Sequence, residues 1–98
     1  MSDDDFGFAL PAFNADNALV QIKRALRDLK LAERGSGFEL KGKAVLRLAV
    51  EDGGIAVMLA KRLSMTPEWD RQTVRSGADQ RKLLDEVKRR LERWQRED

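Results

Sequence analysis

A chain of 98 residues carries enough material for one folded domain and little more. Leu, Ile, Val and Phe supply 25 of those residues, more than the fifth below which a packed core fails, so the composition excludes wholesale disorder. The 19 basic and 17 acidic side chains leave a net charge of +2, which describes a highly charged but only mildly basic surface.

Two absences narrow the chemistry. Without cysteine there is no disulfide framework, thiolate nucleophile or Cys-ligated zinc, and the composition suits a reducing cytoplasm. Without histidine the commonest general base and the commonest transition-metal ligand are both missing. The apolar runs are short, and Asp3, Asp4 and Asp5 stand where a secretory signal would carry positive charge, so neither a membrane span nor a signal is expected. The expectation is a cytoplasmic protein that is not an enzyme and takes no cofactor.

Residues 1–13 read as an acidic and aromatic segment ahead of a single domain over residues 14–98. Phe6, Phe8, Leu10 and Phe13 give this segment four large apolar side chains without a helical or strand period. Two accounts compete: Phe8 or Phe13 folds back to cap the core, which is preferred, or the segment is a docking motif for a partner.

Asn14 or Asp16 can cap a helix in which Ala15, Leu19, Ile22, Leu26 and Leu29 recur at spacings of four and three, with Ala18 and Ala25 widening the stripe. The pattern predicts an amphipathic helix over residues 15–33, ended by Gly35 as terminator. From Phe38 the period becomes two. Phe38, Leu40, Ala44, Leu46, Leu48 and Val50 alternate with polar residues, and after Asp52 and Gly53 the apolar set moves to Ile55, Val57 and Leu59. A two-residue turn at Asp52 and Gly53 pairs Val50 with Ile55, Leu48 with Val57 and Leu46 with Leu59, which places all six on one face of a hairpin. A further turn at Lys41 and Gly42 would set Phe38 against Val45, so parity favours one long strand bent at Gly42.

Thr66 and Pro67 resemble a helix start, yet Trp69 to Arg75 suits a third strand, and the strand is preferred. Ser76 with Asp79 predicts the cap of a last helix whose stripe is Leu83, Leu84, Val87, Leu91 and Trp94. The expected fold is α+β: an N-terminal helix, an antiparallel hairpin extensible to a three-stranded meander, and a C-terminal helix, with both helices on one sheet face.

Two surfaces are candidates for binding. The second face of the hairpin carries Val45, Arg47, Ala49, Ala56, Met58 and Ala60, small apolar groups among basic ones, and suits a protein partner or a second copy in a homodimer. Lys23, Arg27, Lys30 and Arg34, aligned on the predicted first helix, together with Lys41 and Lys43, form the alternative, a weak backbone-directed nucleic-acid surface. The hairpin face offers no aromatic ring for base stacking, which weighs against the alternative. The cations of the last helix are interlaced with acids at helical spacing, and Gly35, Ser36 and Gly37 follow a helix where a phosphate loop would precede one. No pattern selects a catalytic residue, a metal site or a small-molecule site. Asp3, Asp4 and Asp5 lack the alternating ligands and glycine of a calcium loop.

Overall fold

In the computed structural model, which describes residues 13–97, Asn14 opens the first helix by accepting the amide of Asn17 on its side chain at 3.0 Å. This helix, α1 (Ala15–Asp28), buries Ala15, Ala18, Ile22 and Leu26 on the stripe that the sequence marks. Phe13 packs against the same core as a partly buried side chain, as one of the two accounts of the segment expected; Phe8 lies outside the described residues.

The helix stops earlier than its apolar period suggests. Lys30 adopts φ +71°, and the amides of Lys30 and Leu31 turn back to the carbonyls of Arg27 at 2.9 Å and Leu26 at 3.2 Å. That is a Schellman stop, and its apolar clasp is the buried pair Leu26 and Leu31. A lysine in the left-handed position hides it from sequence inspection, because glycine ordinarily stands there. Residues 32 and 33, expected as the end of the helix, fall in the short strand β1 (Ala32–Arg34), and Gly35 belongs to the next turn, not to a helix end.

Four more strands follow: β2 (Gly37–Leu40), β3 (Lys43–Glu51), β4 (Gly54–Ala60) and β5 (Trp69–Val74). They form one antiparallel meander in chain order. The turn at Asp52 and Gly53, with φ of +48° and +76°, sets Val50 against Ile55, Leu48 against Val57 and Leu46 against Leu59, the register that parity demands. Val50 nevertheless stays 43% exposed at the strand end.

The long bent strand expected through Gly42 is instead a second tight turn. Lys41 and Gly42 have φ of +54° and +78°, and β2 pairs with β3 from Leu40 and Lys43 onward. The parity conflict is removed by a bulge: Glu39 pairs with Ala44 but Phe38 with Leu46, so Val45 is an extra residue on β3. Val45 and Leu46 are both 0% exposed, and Phe38 faces the core with Leu46. The preferred reading of residues 69–75 as a strand agrees with β5.

The second helix, α2 (Gly77–Arg96), starts where Ser76 accepts the amide of Asp79 and Asp79 returns a bond from the amide of Arg75, each at 3.0 Å. Leu83, Val87, Leu91 and Trp94 are buried. With α1 they cover the sheet face that carries Phe38, Leu46, Leu48, Ile55, Val57, Leu59 and Val74. Each fully buried Leu, Ile or Phe contributes about 1.5–3 kcal/mol through removal from water.

Arg90 fastens α2 to the sheet. Its side chain is 12% exposed, and its guanidinium donates to Glu86 at 2.7 Å, to the Ala60 carbonyl at 3.1 Å and to Asp70 at 2.8 Å. The described residues thus form a small α+β domain with two helices on one side of a five-stranded sheet and, among them, no layer on the other. Among the described residues no helix is long and apolar enough to cross a membrane.

Candidate functional site

Strand parity decides what the uncovered face displays. Across it, the register aligns Arg34 on β1, Gly37 on β2, Arg47 on β3, Met58 on β4 and Arg71 on β5 in a single row. The next row toward the Asp52 turn holds Ala49, Ala56 and Thr73, and on the far side of the arginine row Ala60 stands beside Trp69. Arg34, Arg47, Ala49 and Arg71 are exposed, while Ala56, Met58 and Trp69 are half-buried. Arg47, Ala49, Ala56, Met58 and Arg71 line a shallow depression of about 220 Å³ whose floor is more apolar than polar.

Of the six positions expected on this surface, Arg47, Ala49, Ala56 and Met58 are therefore together on the bare face. Val45 and Ala60 are each 0% exposed, the first because the bulge turns it into the core, and neither offers side-chain surface to a partner. Three residues join that sequence reading did not place there. Arg34 arrives because the first helix is shorter than expected, and Trp69 and Arg71 arrive because β5 takes the pairing position beside β4. The alternation Trp69, Arg71, Thr73 against Asp70, Gln72, Val74 separates the two faces of the expected strand, but it does not specify which strand it pairs with.

The ring of Trp69 is not bare. The Arg47 guanidinium lies 5.2 Å from its centroid, within the range of a cation–π contact. Arg34 donates to Glu39 on the same face at 3.2 Å. No described carboxylate forms an ion pair with Arg47 or Arg71.

The basic stripe expected on the first helix does not form. Lys23 and Arg27 share one partner, Glu33, at 3.3 and 2.8 Å on the helix-covered side, and together these cations hold the Glu33 carboxyl below its ordinary value, Lys23 contributing most. Lys30 follows the helix in its left-handed stop, and Arg34 is on the opposite side of the sheet. Lys41 reaches the carbonyl of Gln95 at 3.1 Å, and Lys43 begins β3. Six cations read as one surface are thus distributed over both layers.

A larger depression, about 570 Å³, lies between β5 and α2, beside Gln72, Asp79, Lys82, Glu86 and Arg89. Its ionisable groups serve the fold. Glu86 is held below its ordinary value by hydrogen bonds from Arg89 first and Arg90 second. Neighbouring Asp70 is lowered chiefly by its bond from Arg90. A proton donor poised near neutrality would need the opposite shift. The described residues contain no group of three or more Asp or Glu arranged to hold a metal ion. The bare face is the stronger candidate, since it combines apolar surface with Arg47 and Arg71, which form no ion pair with a carboxylate among the described residues. Comparison of the chain with protein-family models, with curated proteins and with solved structures finds no match.

Proposed function

We propose that the chain is a non-catalytic binding module whose uncovered sheet face receives an acidic, partly apolar segment of another protein. The observation that carries this reading is the row Arg34, Gly37, Arg47, Met58 and Arg71 beside Ala49 and Ala56. Neighbouring strands lie about 4.8 Å apart, so the three arginines recur roughly every 10 Å across the sheet, with low apolar ground between them. Guanidinium groups bind carboxylates with two parallel hydrogen bonds, and small side chains let a second backbone or an aromatic ring approach closely. A cysteine-free, histidine-free chain supports a binding role in a reducing compartment better than a catalytic one.

Trp69 on the same face favours a second reading, a single-stranded nucleic acid stacked on that ring. Its edge position and its existing contact with Arg47 weigh against it. Amide chemical shifts separate the two. A capped peptide alternating glutamate and phenylalanine is expected to shift Arg47, Ala49, Met58 and Arg71, and Arg47→Glu with Arg71→Glu to abolish the effect. Shifts confined to other surfaces, or a short oligo-dT strand binding this face where the peptide does not, would overturn the proposal. Concentration-dependent shifts of the same amides without any ligand would make a second copy the partner.

A further inference from the structure

We infer that the outer edge of β5 is a second binding site, at which an extended segment of another protein pairs antiparallel as a sixth strand, with a carboxylate opposite Arg71. This goes beyond the reading of the bare face, because the recognising groups are backbone amides and carbonyls.

Strand register identifies those groups. Bonded and unbonded pairs alternate along an antiparallel ladder. The amide of Lys61 donates to the carbonyl of Glu68 at 2.9 Å, one step beyond the pair of Ala60 and Trp69. Leu59 with Asp70 and Val57 with Gln72 are therefore bonded pairs, and Trp69, Arg71 and Thr73 turn their amides and carbonyls away from β4. Among the described residues no other strand pairs with β5. The opposite edge of the sheet, β1, has three residues, whereas β5 has six and so offers the longer template.

The groove between β5 and α2 opens on that edge. Gln72 and Thr73 are neighbours on one strand and point to opposite faces, yet both line the depression of about 570 Å³ together with α2. A space that touches both side chains lies beside the backbone between them. α2 forms its wall. The Arg75 amide donates to Asp79 and Arg90 donates to Asp70, so the helix returns alongside β5. Five strand residues at about 3.3 Å and eleven helical residues at about 1.5 Å both span about 17 Å, which sets Gln72 level with Asp85 and Glu86.

Charge selects the occupant. Two copies that paired over most of β5 would need a two-fold axis on Asp70, Arg71 or Gln72, since the outward groups belong to alternate residues. An axis on Asp70 or Arg71 sets that residue against itself. One on Gln72 brings Lys82 level with the second copy's Arg89, and Asp85 level with its Glu86. Each register opposes like charges, which is destabilising. A foreign strand avoids this. Arg71 is exposed and forms no ion pair with a described carboxylate, so an acidic residue opposite it gains a charge-assisted pair. The alternate residues of that strand meet the charged wall of Lys82, Asp85 and Arg89 and are therefore polar.

The test uses the full chain and a capped peptide, Thr-Val-Thr-Glu-Thr-Val, whose glutamate lies opposite Arg71 and whose threonines lie on the helix side. In this pairing the amides of Val and Glu point to β5 and those of Thr point away. The peptide is expected to shift the amides of β5, Lys82 and Asp85, and to slow hydrogen exchange at Arg71 and Thr73, which is fast in the free protein. N-methylation of the glutamate should weaken binding at least about tenfold, whereas N-methylation of the central threonine should leave it unchanged. Arg71→Glu should reverse the preference toward the peptide with lysine in place of glutamate.

Equal losses from the two methylations overturn the inference. So does slow exchange at Arg71 and Thr73 in the free protein at every concentration, which would mean that the edge is already paired. Protection that grows with concentration and without peptide would assign the edge to a second copy. If the peptide shifts only Arg47, Ala49 and Met58, the bare face binds and the edge does not. If the peptide pairs on β5 and the Glu–Phe peptide leaves Arg47, Ala49 and Met58 unmoved, the edge site stands and the reading of the face falls.

Discussion

The guanidinium of Arg47 lies over the ring of Trp69, crossing from β3 to β5 past the Met58 and Ala60 positions of β4. The contact joins two strands that share no backbone hydrogen bonds, and it pins the one aromatic ring that the described residues place on the bare face. A double-mutant cycle of Arg47→Ala and Trp69→Ala should give a coupling of about 0.5–1 kcal/mol, the usual range for a half-exposed cation–π pair. Additive losses in chemical denaturation would show that the two side chains do not interact in solution.

Arg90 is expected to matter more for stability than any surface cation. Arg90→Met removes bonds to Glu86, Asp70 and the carbonyl of Ala60, a fully buried residue, and the stranded carbonyl alone should cost about 1–3 kcal/mol. The pH dependence follows from Asp70, whose ordinary value is 3.8 and which Arg90 holds lower in the folded state. A carboxylate depressed by folding stabilises the native state above its unfolded value, and that contribution is lost as pH falls through the folded one. Thermal melts should therefore show the difference between wild type and Arg90→Met narrowing as pH drops below about 4. A constant difference down to pH 3 would mean that the pair contributes nothing ionic.

The legible parts of this chain were those where a period is long and its stop is conventional. The hairpin register across Asp52 and Gly53 and the cap of α2 at Ser76 and Asp79 follow from the residues alone. What was lost was lost to local exceptions: a lysine in a glycine position at residue 30, and a bulge at Val45 that makes the β2–β3 pairing compatible with both halves of the apolar pattern. A bulge leaves no mark on a period-two alternation except two adjacent apolar residues, and Val45 and Leu46 are such a pair. The candidate face was half visible for the same reason. Its central residues belong to the hairpin, whereas Arg34, Trp69 and Arg71 reach it only through pairings between strands whose edges the alternation does not specify.

Lys30→Gly should stabilise the protein. The side chain is exposed and the backbone sits at φ +71°, where a residue with a Cβ pays about 1–2 kcal/mol that glycine avoids. The more flexible unfolded chain returns part of that gain, leaving a net increase of up to about 1 kcal/mol, or roughly 4–8 °C in melting temperature for a domain of this size. An unchanged or lower melting temperature would indicate that the lysine stem contributes packing of similar magnitude.

Leu91→Ala and Gly53→Val probe the two ends of the core. Leu91 is buried on α2, and its truncation should cost about 2–5 kcal/mol through lost burial and a residual cavity. A Cβ at Gly53 meets no atom within 4 Å, so Gly53→Val acts only through its φ of +76°, and a loss of about 1–2 kcal/mol is expected from backbone strain. Urea titrations that rank the two variants in the opposite order would contradict the burial of α2.

Gly37 should be the least replaceable residue of the bare face, although nothing binds there through a side chain. A Cβ at this position would stand 2.3 Å from the carbonyl oxygen of Leu46, and because that atom is backbone it cannot rotate aside. Gly37→Ala must therefore push β2 away from β3 beside the bulge, at an overpacking cost of about 1–3 kcal/mol. The loss should be local: β1 and β2 form the sheet edge and carry few buried side chains, so amide exchange there should accelerate while β4 and α2 retain their protection. Because Arg34 and Arg47 flank Gly37 in the register, the same variant should also weaken the Glu–Phe peptide without removing a charge. Unaltered exchange in β1 and β2 would show that the sheet accommodates the methyl group by another route and that close strand approach is not what glycine secures at this position.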